Sequence, residues 1–227
     1  DGAFSIREMI EANIKKGYEY MVITDHSKSL KVAHGLQVER LLRQNEEIKN
    51  LNEEYTEIDI YSGTEMDILP DGSLDYDNEV LAQLDYVIAA IHQSFNQSED
   101  EIMKRLEVAC KNPYVRHIAH PTGRIIGRRP GYKPNIEKLM KLAEETNTIL
   151  EINANPKRLD LNAETVRKYP NVKLTINTDA HHTNHLEFMK YGVATAQKGF
   201  VAKDRVVNAL SREEFKSLIE NNIKLRK

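Results

Sequence analysis

The chain has 227 residues, of which 40% are hydrophobic and 30% are charged. This composition is typical of a globular protein and excludes a disordered or collagen-like chain. The single cysteine, Cys110, excludes a disulfide scaffold and a cysteine-rich zinc module, and it fits a reducing, intracellular setting. No run of 18 apolar residues is present, so we expect no transmembrane helix. The net charge is −3, so a site for a polyanion must be a local one.

The first residues, Asp1-Gly2-Ala3, contain neither an initiator methionine nor a signal peptide, so we expect a fragment of a longer chain. Ser5 and Glu8 have the spacing of a capping box, which predicts a helix directly after Ser5. No change of composition and no linker divides the rest of the sequence, so we expect a single domain over residues 1–227, shortened at its N-terminus.

Short apolar runs, typical of buried strands, then alternate with segments of helical periodicity. The predicted strands cover residues 20–24, 58–61, 86–91, 115–119, 149–152 and 172–176, with a weaker candidate at 191–194. One amphipathic helix is predicted over residues 38–54, and Ser–Glu capping boxes precede two others at residues 98 and 211. This alternation predicts a parallel α/β fold, either a barrel or an open sheet.

Residues that bind metals follow most of the predicted strands. They are His26 after the first strand, Glu65 at the end of the second, His92 after the third, His120 after the fourth, and Asp179 with His181 after the sixth. The carboxyl ends of parallel strands meet at one edge of the fold, so we expect these side chains to converge. Imidazole and carboxylate groups together bind zinc, manganese or iron. Glu151 and Asn153, on the fifth strand, are candidates for orienting the ligands.

Other kinds of chemistry have weaker signals. Ser27, Ser62 and Ser94 lie near strand ends, but no nucleophile-elbow pattern surrounds them. No Gly-rich nucleotide motif is present. Cys110 and His117 fit best as buried structural residues.

A basic segment at residues 111–136 contains six Lys or Arg residues and no acid. Because Arg matches phosphate oxygens with two parallel hydrogen bonds, this segment predicts a phosphate clamp beside the metal ligands, the alternative being a solvated loop. The candidate substrate-binding residues are Arg124, Arg128, Arg129, Lys133 and, from the loop after the first strand, His34. Tyr132 could stack a base or belong to the core.

The sequence resembles the polymerase and histidinol phosphatase (PHP) superfamily at residues 24–27, 63–67, 119–124 and 177–181 and at His92. Residues 68–75, 124–132 and 151–156 are closer still to the PHP domain found at the C-terminus of bacterial family X DNA polymerases. The resemblance implies an α/β fold, a distorted, TIM-like barrel of seven βα units, here without its first strand.

The same resemblance implies a metal-dependent phosphoesterase, most closely a 3′–5′ DNA exonuclease, with up to three divalent ions of manganese, zinc or iron. Its implied partners are DNA 3′ ends, single-stranded or gapped, and a polymerase core upstream, with no membrane. The implied metal ligands are Asp1, His26, Glu65, His92, His120, Asp179 and His181. Glu65 would bridge two metals, and Glu65, His92, Asp179 and Arg124 would be catalytic. The family's leading H-x-H motif is absent from this chain.

Two further functions stay open at this stage. One is a small-molecule phosphatase of the histidinol-phosphatase type, and the other is a non-catalytic PHP module that only stabilises a polymerase. The general acid is also open, with His34 and His182 among the candidates.

Overall fold

The computed structural model describes residues 2–221 and contains, within them, a six-stranded parallel sheet whose strands lie side by side in chain order. The strands are β1 (Tyr20–Ile23), β2 (Asp59–Asp67), β3 (Tyr86–Ala90), β4 (Val115–Ile118), β5 (Ile149–Asn153) and β6 (Leu174–Asn177). The sheet has β1 and β6 at its edges, so the α/β fold expected from the sequence is confirmed as an open, TIM-like barrel.

Helices connect the strands and cover the outside of the sheet. They are α1 (Ile6–Lys15), α2 (Val38–Glu54), α3 (Asn78–Leu81), α4 (Glu99–Lys111), α5 (Ile136–Glu145), α6 (Ala163–Lys168), α7 (Met189–Lys198) and α8 (Arg212–Asn221). The predicted capping boxes are present before α1, α4 and α8, where a Ser and a Glu three residues later each accept a backbone N–H.

Alternate residues of β3 serve two different hydrophobic cores. On β3, Val87 and Ala89 face the helices, whereas Tyr86 and Ile88 belong to a separate cluster with Phe215 of α8. Phe215 stacks on Tyr20 with ring centroids 4.2 Å apart, so α8 covers the amino-terminal end of the barrel. A cavity of about 790 Å³ runs from this cluster toward the carboxyl ends of the strands.

The segment 191–194, the weaker strand candidate, was predicted wrongly, because it lies inside α7. Gly192 and Ala196 are buried and lie one helical turn apart, which places both on the face that packs on the sheet. A Cβ atom at Gly192 would lie 2.4 Å from Ile176 of β6, so this helix approaches the sheet closely. None of the helices among residues 2–221 is long and apolar enough to cross a membrane.

Candidate metal centre

Glu65 lies at the centre of a cluster of imidazole rings at the carboxyl ends of the strands. Its Oε1 lies 2.8 Å from Nε2 of His120 and 3.2 Å from Nε2 of His92. Its Oε2 lies 3.4 Å from Nδ1 of His26. The four side chains come from the ends of four neighbouring strands, so the predicted convergence at one edge of the sheet is what the structure contains.

The backbone fixes these positions locally. Sheet pairing continues beyond β1, since Glu65 N–H donates to the Asp25 carbonyl at 3.0 Å and Ser27 N–H donates to the Glu65 carbonyl at 3.2 Å. His26, just beyond β1, is thereby paired directly with Glu65 of β2. His120 has a left-handed backbone, with a φ of 29°, which turns the chain sharply out of β4.

The electrostatics of the cluster favour an ionised Glu65 beside uncharged rings at His26 and His120. Burial opposes ionisation of Glu65, but hydrogen bonds to His120 and His92 outweigh it and hold the pKa of Glu65 well below its usual range. Burial lowers the pKa of both His26 and His120, so these rings are neutral at pH 7. An ionised carboxylate and neutral imidazoles are the forms that bind metal.

His92 is held by a second carboxylate. Its Nδ1 lies 2.9 Å from Oδ1 of Asp67, a fully buried side chain that also accepts from the Ser29 hydroxyl at 2.9 Å. Burial opposes the charge on His92, but the contacts with Asp67 and Glu65 outweigh it and raise the pKa of His92 to about 9. Asp67 thus plays the orienting part that carboxylates play behind metal-binding histidines, a part that the strand-end pattern did not single out.

Asp179 and His181 form the other side of the cluster, after β6. Asp179 has a left-handed backbone with a φ of 51°, and its Oδ1 lies 3.6 Å from Nδ1 of His181. The ring of His181 lies 6.0 Å from that of His26, which joins the two sides. Asp1 lies outside the described residues.

A buried polar network connects His120 with Asp179. Glu151 accepts the His120 backbone N–H at 2.6 Å and the Asn177 amide at 3.1 Å. The Asn153 amide lies 3.2 Å from Glu151 and 3.2 Å from Asp179. Burial, followed by the nearby Asp179 charge, raises the pKa of Glu151 to about 8.

The residues present fit a divalent metal. One ligand atom each from His26, Glu65 and His92 lies within 4.8 Å of the other two, close enough for a single ion to contact all three. Two imidazoles and a carboxylate form a donor set suited to zinc, and equally to manganese or iron. His120, which lies against the same Glu65 oxygen as His92, is a further imidazole beside this group of three.

The basic segment is less uniform than its sequence indicates. Arg116 lies on β4, is buried, and donates to the carbonyls of Leu218 and Ile219 in α8. Arg124 donates to the carbonyls of Arg158, at 2.8 Å, and Leu159. The prediction of a phosphate clamp is therefore wrong for Arg116. Arg124 holds the loop after β5 by its bonds to that loop's backbone.

The rest of the basic segment also contains residues bonded within the protein and residues exposed to solvent. Arg129 donates to the Gly123 carbonyl at 2.8 Å and lies 4.2 Å from the centre of the Phe95 ring. Tyr132 is buried beside Phe95, so the core alternative for this residue is confirmed and base stacking by it is excluded. Arg128 and Lys133 are exposed, as is His34, which ends the 3₁₀ turn after β1.

Arg158 is a functional candidate that the sequence reasoning missed. Its Nε lies 3.6 Å from Oδ2 of Asp179. Its Nη1 is buried and, within residues 2–221, has no hydrogen-bond partner. The available signal was its position, because Arg158 lies in the loop that follows the carboxyl end of β5.

Comparisons with known proteins agree with this geometry. Residues 1–155 match the sequence profile of the PHP domain. The chain is 57% identical over 224 residues to the DNA polymerase/3′-5′ exonuclease PolX of Bacillus subtilis strain 168, covering 98% of this chain and 39% of that protein. The chain therefore spans well under half the length of that relative.

Two further similarities extend over most of this chain and most of the related protein. A protein of Thermoanaerobacter sp. strain X514, named a probable phosphatase, is 28% identical over 217 residues, which are 90% of this chain and 83% of that protein. The structure of histidinol phosphate phosphatase from Lactococcus lactis, solved with zinc, L-histidinol and phosphate, superposes with a TM-score of 0.64 at 17% identity. It covers 89% of this chain and 90% of that one, and it supports the fold.

Proposed function

The chain belongs to the PHP domain family, and we propose that it hydrolyses phosphodiester bonds at DNA 3′ ends with bound divalent metal. One observation carries the proposal: an ionised, buried Glu65 is met by three imidazoles from three neighbouring strand ends. The choice of DNA rests on the relative that is 57% identical and named as a polymerase and 3′-5′ exonuclease. The same relative supports a polymerase core as partner.

The proposed ligands fall into two groups around Glu65. His92 and His120 share one Glu65 oxygen, whereas His26 lies against the other. Asp179 and His181 would complete the second side, together with Asp1. We infer that up to three ions of manganese, zinc or iron are held, with Glu65 between two of them.

Bound divalent metal would lower the pKa of water, supply a hydroxide nucleophile at neutral pH, and offset charge on the phosphoryl oxygens. The chain's own residues then set the geometry. Asp67 fixes the ring of His92, and Glu151 fixes the backbone of His120, so the ligands are oriented before substrate arrives.

Arg158 is the proposed partner for the scissile phosphate. Its unpaired, buried Nη1 lies beside Asp179, so a phosphate oxygen there would satisfy a donor that the described residues leave without an acceptor. In this role Arg158 replaces Arg124, whose guanidinium donates to backbone carbonyls. Arg128, Lys133 and His34 are exposed and remain candidate contacts to more distant phosphates.

A phosphatase acting on a small phosphomonoester is the second candidate function. It is favoured by the relative named a probable phosphatase, which matches this chain over 83% of its own length. The exposed basic residues Arg128 and Lys133 favour DNA, since a polyanion needs more than one phosphate contact.

The test is a competition between substrates. The chain, reloaded with Mn²⁺ or Zn²⁺, is incubated with a 5′-labelled oligonucleotide and with a phosphomonoester, beside the matched Glu65→Gln variant. We expect stepwise shortening of the oligonucleotide from its 3′ end that Glu65→Gln abolishes. Faster hydrolysis of the phosphomonoester would favour the second function, and hydrolysis of neither substrate would favour a non-catalytic module.

A further inference from the structure

A series of five ring side chains leads from the candidate metal centre across the surface of the barrel. These rings, called here the ring series, are Phe4, His182, His185, Phe188 and Tyr191. Successive ring centroids are 4.6, 5.8, 4.9 and 6.4 Å apart. The spacing is continuous, so the rings form one path rather than scattered surface groups.

The ring series begins at the proposed ligands and ends at an exposed residue. His182 directly follows His181, and the His181 backbone N–H donates to Nδ1 of His185 at 3.2 Å. The N-terminal segment is joined there too, since Ala3 N–H donates to the His181 carbonyl at 2.9 Å. At the other end, Tyr191 lies in the first turn of α7 and is 41% exposed.

The imidazoles in the series are held in fixed orientations. Nδ1 of His182 accepts the Asn184 backbone N–H at 3.0 Å, and Nδ1 of His185 accepts that of His181. Phe188 packs against the hydrophobic core between the sheet and the helices, the one that contains Val87 and Ala89. Rings fixed in this way lose little rotational freedom when another flat group stacks on them.

The charges along the series suit a phosphate backbone. Lys190 places its ammonium group 5.2 Å from the centre of the Tyr191 ring. Glu187, in the 3₁₀ segment Thr183–Phe188 that precedes α7, is paired with Lys16 of α1, and this pairing reduces the repulsion between Glu187 and a polyanion.

We propose that the ring series binds the unpaired nucleotides next to the scissile phosphate, with bases stacked on its outer rings, Phe188 and Tyr191. The inference rests on the proposed function and assigns a place on the fold to the single-stranded 3′ segment of its substrate. Aromatic rings beside basic groups are the usual means of holding single strands without sequence preference, because every base has a flat face.

The test measures binding rather than hydrolysis, in Ca²⁺ or in EDTA. Wild-type chain is titrated with a ten-nucleotide thymidine oligomer and with an abasic oligomer of equal phosphate number. We expect wild type to prefer the thymidine oligomer, and Phe188→Leu or Tyr191→Ala to reduce that preference about tenfold, the loss of one base–ring stack. Leu preserves the apolar packing of Phe188 without its ring.

Two controls make the result specific. Tyr191→Phe preserves the ring and should keep the preference. Phe200→Ala removes a ring that is 74% exposed beyond the opposite end of α7, about 15 Å away along the helix, and should also keep it.

The inference is overturned if wild type binds both oligomers equally, or if the ring variants weaken binding to both oligomers by the same factor. Failure of the proposed function is a separate result, because it is read from hydrolysis of a small phosphodiester such as bis(4-nitrophenyl) phosphate. That substrate is too short to reach Phe188 or Tyr191, so its hydrolysis reports on the metal centre alone, and Phe200→Ala should leave it unchanged.

Discussion

Oδ1 of Asp67 lies 2.9 Å from Nδ1 of His92, and this contact directs the opposite nitrogen of the ring toward Glu65. Both acids come from β2, two residues apart, so one strand presents the carboxylate that we propose binds metal and the carboxylate that holds the His92 ring. The His92 ring joins them across the strand end. β2 has nine residues, more than any other strand of the sheet in residues 2–221, and its end carries both of these acids.

Asp67→Asn should weaken metal binding 10- to 100-fold, because the amide orients the His92 ring without supporting its basicity. Affinity is measured by titration in a metal-ion buffer. Asp71→Asn is the matched control, an exposed acid whose bonds go to Ser73 in a turn after the same strand. Equal affinities for wild type and Asp67→Asn would remove the orienting role.

Arg158→Gln should lower kcat for phosphodiester hydrolysis by about 100-fold, the usual effect of removing one donor to the developing charge. Metal content should stay the same, because a guanidinium does not bind metal. Arg167→Gln serves as control, since Arg167 lies over Phe200, away from the ligands. Loss of metal together with activity would instead mean that Arg158 only holds Asp179 in place.

Arg128→Ala should reduce the slope of log affinity against log salt for single-stranded DNA by about 0.7, the effect of losing one phosphate contact. Arg124→Ala should act differently, because its guanidinium braces the carbonyls of Arg158 and Leu159. We expect it to lower the denaturation midpoint. Salt titrations and urea unfolding of both variants distinguish a DNA contact by Arg128 from a structural role of Arg124. An unchanged salt slope in Arg128→Ala would contradict the DNA contact.

His117 should make the fold sensitive to acid. Burial lowers the pKa of His117 to about 3, against an ordinary value near 6.5, so below pH 6.5 only the unfolded chain takes up this proton. Stability is therefore complete above pH 6.5 and falls as pH drops toward 3, by about 1.4 kcal/mol per unit for this one site.

The check is urea unfolding in EDTA between pH 6 and 4.5, comparing wild type with His117→Leu. The variant loses the Thr175 contact and is less stable at pH 7, so the difference in slope is the readout. Parallel slopes in the two proteins would show that His117 does not carry the effect.

The convergence of the proposed ligands was predictable, because two simple rules fixed their positions. Apolar runs marked the strands, and the carboxyl ends of parallel strands meet at one edge. His26, Glu65, His92 and His120 follow from those rules alone. The rules say nothing about which acid lies behind a ligand, so the partnership of Asp67 with His92 emerged only from the structure.

The arginines were harder to predict, because the sequence gives the density of positive charge and not the acceptors that the fold supplies. Arg116 and Arg124 are occupied by backbone carbonyls of other segments, contacts between residues far apart in the chain. The prediction of a strand at residues 191–194 was wrong for a related reason. Four small and apolar residues fit a short strand or one helical turn, and only the approach of Gly192 to Ile176 distinguishes the two.

The most direct measurement of the central claim is the metal content of the purified chain and of Glu65→Gln, by elemental analysis after dialysis against metal-free buffer. Gln preserves the shape of Glu65 and removes the charge that the surrounding imidazoles contact. We predict that wild type retains manganese, zinc or iron and that the variant retains little, with an unchanged fold by circular dichroism. Equal metal content in the two proteins, or none in wild type, would contradict the account.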